Sequence, residues 1–272
     1  MDCPHENPTA LFRFIALNAM TSLAKVLFAG VALAALSACG GGDTASRLDL
    51  ANPTVRFVHA AAGVPAVTLS RAGVAQSDST NVPYQYVSNY SDIDMSTADW
   101  SVATVGAVPV AVGQVSIPPV RGNKYTVVAL DGAGTLTRAI LIVDPYNKSL
   151  TSDSARLRVV NASPNAPSID VYMTAVGADL TPVSLLPNIA ATLSGQPGPA
   201  SGTDSVDIPG GTVYQVTVTT AATKTMLFKG ALGFAPNQDI LLVAVPDPLL
   251  PNQVAVFFKI EGSNGSAAVP GI

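Results

Sequence analysis

Cysteine, histidine and charge are all scarce in this sequence. Its 272 residues include two cysteines and two histidines, and 12% are charged. Beyond Cys39 there is no cysteine and one histidine, His59, so a disulfide is excluded there and a zinc site would have few of its usual ligands. The net charge of −4, without a basic run, argues against nucleic acid as a partner. We therefore predict neither a cofactor nor a metal site.

Long hydrophobic runs are absent too. The apolar run at 26–36 is too short to cross a bilayer, which takes about 20 apolar residues. It follows Lys25 and precedes small residues, which is the arrangement of a secretory signal peptide. We predict a signal peptide at 1–38. Met20 is an alternative start, because 20–39 is by itself a complete signal of ordinary length.

The end of this run, Leu36-Ser37-Ala38-Cys39, resembles the lipobox of bacterial lipoproteins. The resemblance implies cleavage before Cys39 and attachment of acyl chains such as palmitate to it. Each buried methylene contributes ~0.8 kcal/mol, so several chains would anchor the protein to the membrane. Gly40 resembles the pattern sorted to the outer membrane, which implies an envelope protein on its periplasmic or surface face. The alternative is a plain signal or anchor helix with an incidental cysteine.

The small, polar segment 39–53 is predicted to be a lipidated, flexible tether. Beyond it, short runs rich in valine and threonine alternate with Gly, Pro, Asn and Asp, and no long stretch has a helical period. The pattern predicts an all-β protein. Its first strands are expected near 55–60, 66–71, 84–91, 100–105, 110–117, 125–130 and 138–143.

The strand pattern restarts after about a hundred residues. The segment 157–162 (LRVVNA) copies 55–60 (VRFVHA) at an offset of 102 residues. A repeat of this length has the size of a domain, which indicates a tandem duplication. We predict two β-sandwich domains that fold separately, with a flexible tail after them. Their boundaries are 54–149 for the first domain, 155–262 for the second and 263–272 for the tail.

The second copy carries the segment 157–172 (LRVVNASPNAPSIDVY), which resembles the opening signature of domain of unknown function 4397. That family occurs in secreted and lipid-anchored bacterial proteins, often in tandem. The resemblance covers about residues 54–260 and implies two immunoglobulin-like β-sandwich domains, without implying an activity. The first copy departs from the signature, since Thr68 stands where the second copy has Asp170.

Four groups of residues are candidates for a functional role. His59 could serve a hydrolase, but the repeat has Asn161 at the same position, and both side chains can close a turn. We therefore predict no catalytic residue. The loop at 92–99 holds three aspartates (Asp92, Asp94 and Asp99), which suits a solvated loop better than a calcium site.

Arg56 and Arg158 occupy equivalent positions in the two copies. We expect them to have a structural role, with Arg158 reaching Asp170, and an anion-binding role is the alternative.

Tyr84, Tyr86 and Tyr90 make the fourth candidate. In one extended strand their rings would share a face, and such a stripe could recognise a sugar or a protein. Tyr84 and Tyr90 also resemble aromatic core positions of the family domain, so we favour core packing for these two and leave both roles open for Tyr86.

Three functions follow for the whole chain. The one we predict is a non-catalytic, lipid-anchored envelope module for binding or structure, with a polymer or protein of the envelope as the candidate partner. A hydrolase using His59 and a passive structural spacer are the alternatives.

Overall fold

The computed structural model describes residues 51–131, 137–145, 153–181, 185–190 and 205–272. The predicted signal peptide and most of the predicted tether lie outside these ranges. All regular structure within them is β-strand, apart from a short 3₁₀ helix at Ser77–Ser79. The predicted all-β class is therefore confirmed. The described residues contain no helix that is long and apolar enough to span a membrane.

In the described part of the chain, nine strands lie before residue 146. They are β1 (Thr54–Ala60), β2 (Val67–Arg71), β3 (Val74–Ala75), β4 (Tyr86–Val87), β5 (Ser91–Asp92), β6 (Ala98–Thr104), β7 (Ala111–Ile117), β8 (Asn123–Asp131) and β9 (Thr137–Pro145). Nine more follow among the described residues after 153. They are β10 (Ser154–Asn161), β11 (Ser168–Ala175), β12 (Leu186–Ala190), β13 (Ser205–Pro209), β14 (Thr212–Thr220), β15 (Met226–Phe234), β16 (Asp239–Pro246), β17 (Val254–Ile260) and β18 (Ala267–Ala268).

Each half of the chain forms two sheets. In the first half the orders are β4-β1-β8-β9, with β5 also on β1, and β3-β2-β6-β7. In the second half they are β13-β10-β16-β17-β18 and β12-β11-β14-β15. Both halves contain one parallel pair, β1 with β8 and β10 with β16. The equivalent strands β1 and β10 thus occupy equivalent places, as the sequence repeat indicates.

Each half has a core of its own between its two sheets. Phe57 and Trp100 belong to the first core, and Leu157 and Ile169 belong to the second. Each of these side chains is at most 1% exposed. The alternation of β1 and β10 fixes which side chains point inward, because neighbouring residues of a strand face opposite sides of the sheet.

A third core joins the two halves. The alternate side chains of the central strands point away from their own cores and pack together, among them Val58, Val128, Val160, Val243 and Phe257. Both faces of these strands are buried, which explains their nearly continuous apolar sequence. The described residues accordingly form one compact unit. The predicted range 54–149 holds one sheet pair, the range 155–262 holds most of the other, whose strand β18 lies beyond 262, and the pairs share a core.

The strand predicted at 84–91 does not form. Only the two-residue strands β4 and β5 lie there, because Gln85 has a φ of 66° and interrupts the extended backbone. The other strands predicted in the first half are confirmed to within a few residues.

The segment 263–272, predicted to be a flexible tail, is instead held on the second half. Its strand β18 pairs with β17, and Val269 is 4% exposed. The chain then crosses to β15, where a side chain at Gly230 would have its Cβ only 2.6 Å from the carbonyl oxygen of Pro270. Composition alone indicated a frayed end, because these contacts depend on neighbours that lie far away in the sequence.

Candidate functional site

The shared face between the halves changes from apolar to charged along its length. The residues at its charged end are here called the charged cluster. They are the polar residues that line a cavity there, together with the buried Lys259 two residues before Glu261: Arg56, Tyr90, Lys124, Asp144, Arg156, Arg158, Asp239, Glu261 and Lys259. Apart from Tyr90, they stand on the same alternate positions of the central strands as the third core. Strand register therefore places charges from six strands at one end of the two sheets.

Asp144 holds two arginines from the other half. Its Oδ1 lies 3.2 Å from an Nη2 of Arg156 and 2.9 Å from Nη2 of Arg158. The three side chains are 14%, 11% and 5% exposed, so water screens these pairs only weakly. Asp144 lies on β9 and the arginines on β10, and the contact therefore ties the halves together.

The predicted pairing of Arg158 with Asp170 is wrong. Asp170 alternates with the core residues Ile169 and Val171 and so faces the outside of its sheet. Its Oδ2 accepts a hydrogen bond from the backbone N–H of Ala222. The structural role expected for Arg158 is met by Asp144 from the first half instead.

A second ion pair crosses the shared face. The Nζ of Lys124 on β8 lies 2.7 Å from Oε1 of Glu261, just after β17. Lys259, two residues earlier, is 2% exposed and donates to the backbone carbonyls of Ser263 and Gly265. Burial and then the charge of Arg56 lower the pKa of Lys259. The two lysines thus add positive charge to the same end.

Arg56 contacts an aromatic ring and a hydroxyl. It is 6% exposed, its Nε donates to Oγ1 of Thr126 at 2.9 Å, and its guanidinium lies 4.6 Å from the centre of the Tyr90 ring. No carboxylate of the described residues lies within ion-pair distance of it. A cation–π contact contributes about 0.5–2 kcal/mol, whereas burial of an ion costs several kcal/mol. The ring therefore offsets only part of that cost. Burial also raises the pKa of Tyr90.

The three predicted recognition tyrosines do not share one stripe. Tyr84 packs beside the third core, Tyr86 packs against the first core, and Tyr90 belongs to the charged cluster. The turn at Gln85 reverses the alternation on which the stripe depends. All three rings are half-buried, and the Oη of Tyr86 donates to the carbonyl of Asp78.

His59 closes the turn that follows β1. Its ring is fully buried, with Nε2 3.2 Å from the carbonyl oxygen of Pro65 and Nδ1 3.4 Å from the amide nitrogen of Ala61. Asn161 does the same after β10, donating to the carbonyl of Ala166 and accepting from the amide of Ser163. One donor and one acceptor on each side chain therefore hold equivalent turns.

The acidic loop contains one close ion pair. Both carboxylate oxygens of Asp94 accept from Arg71, at 2.6 and 2.7 Å. The hydrogen bonds from Arg71 and then from Ser96 hold the pKa of Asp94 well below its usual range. Asp92 and Asp99 are exposed, and no group of three metal-ligating side chains is found in the described ranges.

Cys39 and the other lipobox residues, Leu36, Ser37 and Ala38, lie outside the described residues. Sequence reasoning singled out Arg56 and Arg158 but missed Lys124, Asp144 and Glu261. The sequence contains a signal for these residues, because charged side chains occupy the same alternate positions as apolar ones in strands that are otherwise buried. On β8, for example, the charged Lys124 shares a face with Thr126 and Val128.

The role of His59 in its turn can be tested by replacing it with asparagine, the residue type at the equivalent position of the second copy. We expect His59→Asn to retain most of the stability, because Asn161 makes the equivalent bonds. His59→Ala should lower the free energy of unfolding by about 1–3 kcal/mol, since the carbonyl of Pro65 and the amide of Ala61 are then left unsatisfied. Urea titration of both variants measures this. An alanine variant as stable as the asparagine variant would contradict it.

Asp144 should matter far more than an exposed aspartate. Asp144→Asn leaves two buried arginines without their shared carboxylate, and we expect the free energy of unfolding to fall by about 3 kcal/mol. Asp94→Asn is the matched control, because the Asp94 side chain is 62% exposed and solvent screens its ion pair with Arg71. Equal effects of the two substitutions in the same urea titration would refute the assigned role of Asp144.

One family matches the chain. The model described as domain of unknown function (DUF4397) matches residues 53–172, which span the first half and continue through β10 into β11. Arg56, Arg158 and Asp144 all lie within the match. No curated protein matches the chain. The resemblance to domain of unknown function 4397 is therefore confirmed over residues 53–172, which include the motif at 157–172.

Proposed function

We propose that this chain is a lipid-anchored cell-envelope protein, and that its β-body is a non-catalytic module for binding or structure. The proposal rests on Leu36-Ser37-Ala38-Cys39 at the end of an apolar run. Acyl chains on Cys39 would hold the body at the outer membrane through the tether 40–53. The partner is then a polymer or protein of the envelope.

The body of the proposed protein consists of two tandem immunoglobulin-like β-sandwich domains. Each half supports this assignment with two facing sheets and a core between them. The tether enters at β1, the strand that also begins the first half of the shared face.

The environment of His59 supports a non-catalytic role. A general base needs a free ring nitrogen within reach of its substrate. Both ring nitrogens here face backbone groups, and the ring is completely buried. A hydrolase built on His59 would have to open the turn after β1 before it could act.

The passive spacer is the second candidate, and the shared core favours it. Two sheet pairs that bury a common face would make a stiff body of fixed length. Cross-linking of the protein in intact cells separates the two roles. A specific partner that is also captured by a soluble form starting near Ala45 favours the binding role. Repeated experiments without a specific cross-linked partner favour the spacer.

The lipid anchor gives a direct prediction. Mass spectrometry of the membrane fraction should show an acylated peptide that begins at Cys39. Cys39→Ser should move the protein from the membrane fraction to the soluble fraction, because no acyl chain can then attach. Cys3→Ser is the matched control and should change nothing. An unmodified peptide that runs through Ala38-Cys39 in the mature protein would contradict the proposal.

A further inference from the structure

The charged cluster carries more positive than negative charge. It contains five cationic side chains and three carboxylates, which leaves two positive charges in excess. Two carboxylates on neighbouring strands, Asp92 and Asp207, are exposed, and solvent screens their influence. Among the residues that the structure describes, the buried part of the cluster therefore has fewer negative than positive charges.

Among the cations of the cluster, Arg56 shows the shortage of negative charge most clearly. It is buried, it lines the cavity within the cluster, and its polar contacts in the described residues are with a threonine hydroxyl and a tyrosine ring. Neither contact carries a full negative charge. Lys259 is close enough for Arg56 to affect its pKa, and its Nζ contacts are backbone carbonyls. Buried ions in proteins are normally neutralised by a charge of opposite sign.

The volume of the cavity limits the size of an anion that could bind in the cluster. Its volume of about 20 Å³ is enough for roughly one water-sized occupant. Sites for drug-sized molecules are far larger, at about 300–1,000 Å³. A sugar or a nucleotide is thus excluded from this cavity, whereas a chloride ion is only slightly larger than water.

We propose that the charged cluster binds one small inorganic anion of chloride size, held by Arg56 between the two halves of the protein. The anion would supply negative charge where the side chains of both halves supply too little. It would link the halves in the same place as the pairs of Asp144 and of Glu261. This site goes beyond the proposed envelope role and requires neither the lipid nor a partner.

Anion-dependent melting tests the site. The purified protein is melted in sodium gluconate and in sodium chloride at equal ionic strength. Chloride should raise the melting temperature saturably by about 2–4 °C, as expected when its concentration is roughly ten times Kd. Arg56→Gln should abolish the difference between the two salts. Arg71→Gln, which removes an arginine paired with exposed Asp94, should retain it.

Three results would contradict the proposed anion site. These are an equal response to both salts in the wild type, an equal chloride effect in Arg56→Gln, and an Arg56-dependent effect of inorganic phosphate without one of chloride. Should Arg56→Gln fail to fold, crystals of the wild type soaked in bromide provide the test. An anomalous peak beside Arg56 supports the site, and a well-ordered cluster without a peak refutes it.

Discussion

The two central sheets of this protein each bury both of their faces. In an ordinary two-sheet body the outer face of each sheet meets water, so charges there cost little. Here the outer faces of the two central sheets meet each other, and Val58, Val128, Val160 and Phe257 form a core between them. Each such side chain stabilises the fold by about 1.5–3 kcal/mol when fully buried. A charge on the same face loses its contact with water, so a partner that offsets this cost is favoured there.

The charged end of this face follows that preference. Asp144 on β9 meets Arg156 and Arg158 on β10, and Lys124 on β8 meets Glu261 beyond β17. Buried ion pairs add little net stability, because the cost of desolvation offsets their attraction. A displaced register, however, would leave buried charges unpaired. We therefore infer that these ion pairs fix the relative position of the two halves. The apolar end of the shared face supplies most of the free energy that holds the halves together.

Much of this arrangement could be predicted from sequence, for reasons that particular residues show. Alternation and turn residues predicted the strands, and the copy of 55–60 at 157–162 predicted equivalent places for Arg56 and Arg158. The stripe of tyrosines failed at Gln85, whose positive φ no local pattern indicates. The predicted pairing of Arg158 with Asp170 failed for another reason, since its actual partner Asp144 belongs to the other half and only tertiary packing brings it near. The prediction of a flexible tail at 263–272 failed for the same reason, because tertiary contacts hold that segment.

We infer that the two halves form a single cooperative unit through their shared face. Differential scanning calorimetry of the protein, with and without Phe257→Ala, can test this. We expect one transition, with a ratio of calorimetric to van't Hoff enthalpy of about 1. Phe257→Ala should lower the temperature of that whole transition, because the shared core loses a large side chain. Two resolved transitions in the wild type, with only one displaced by the substitution, would contradict the claim.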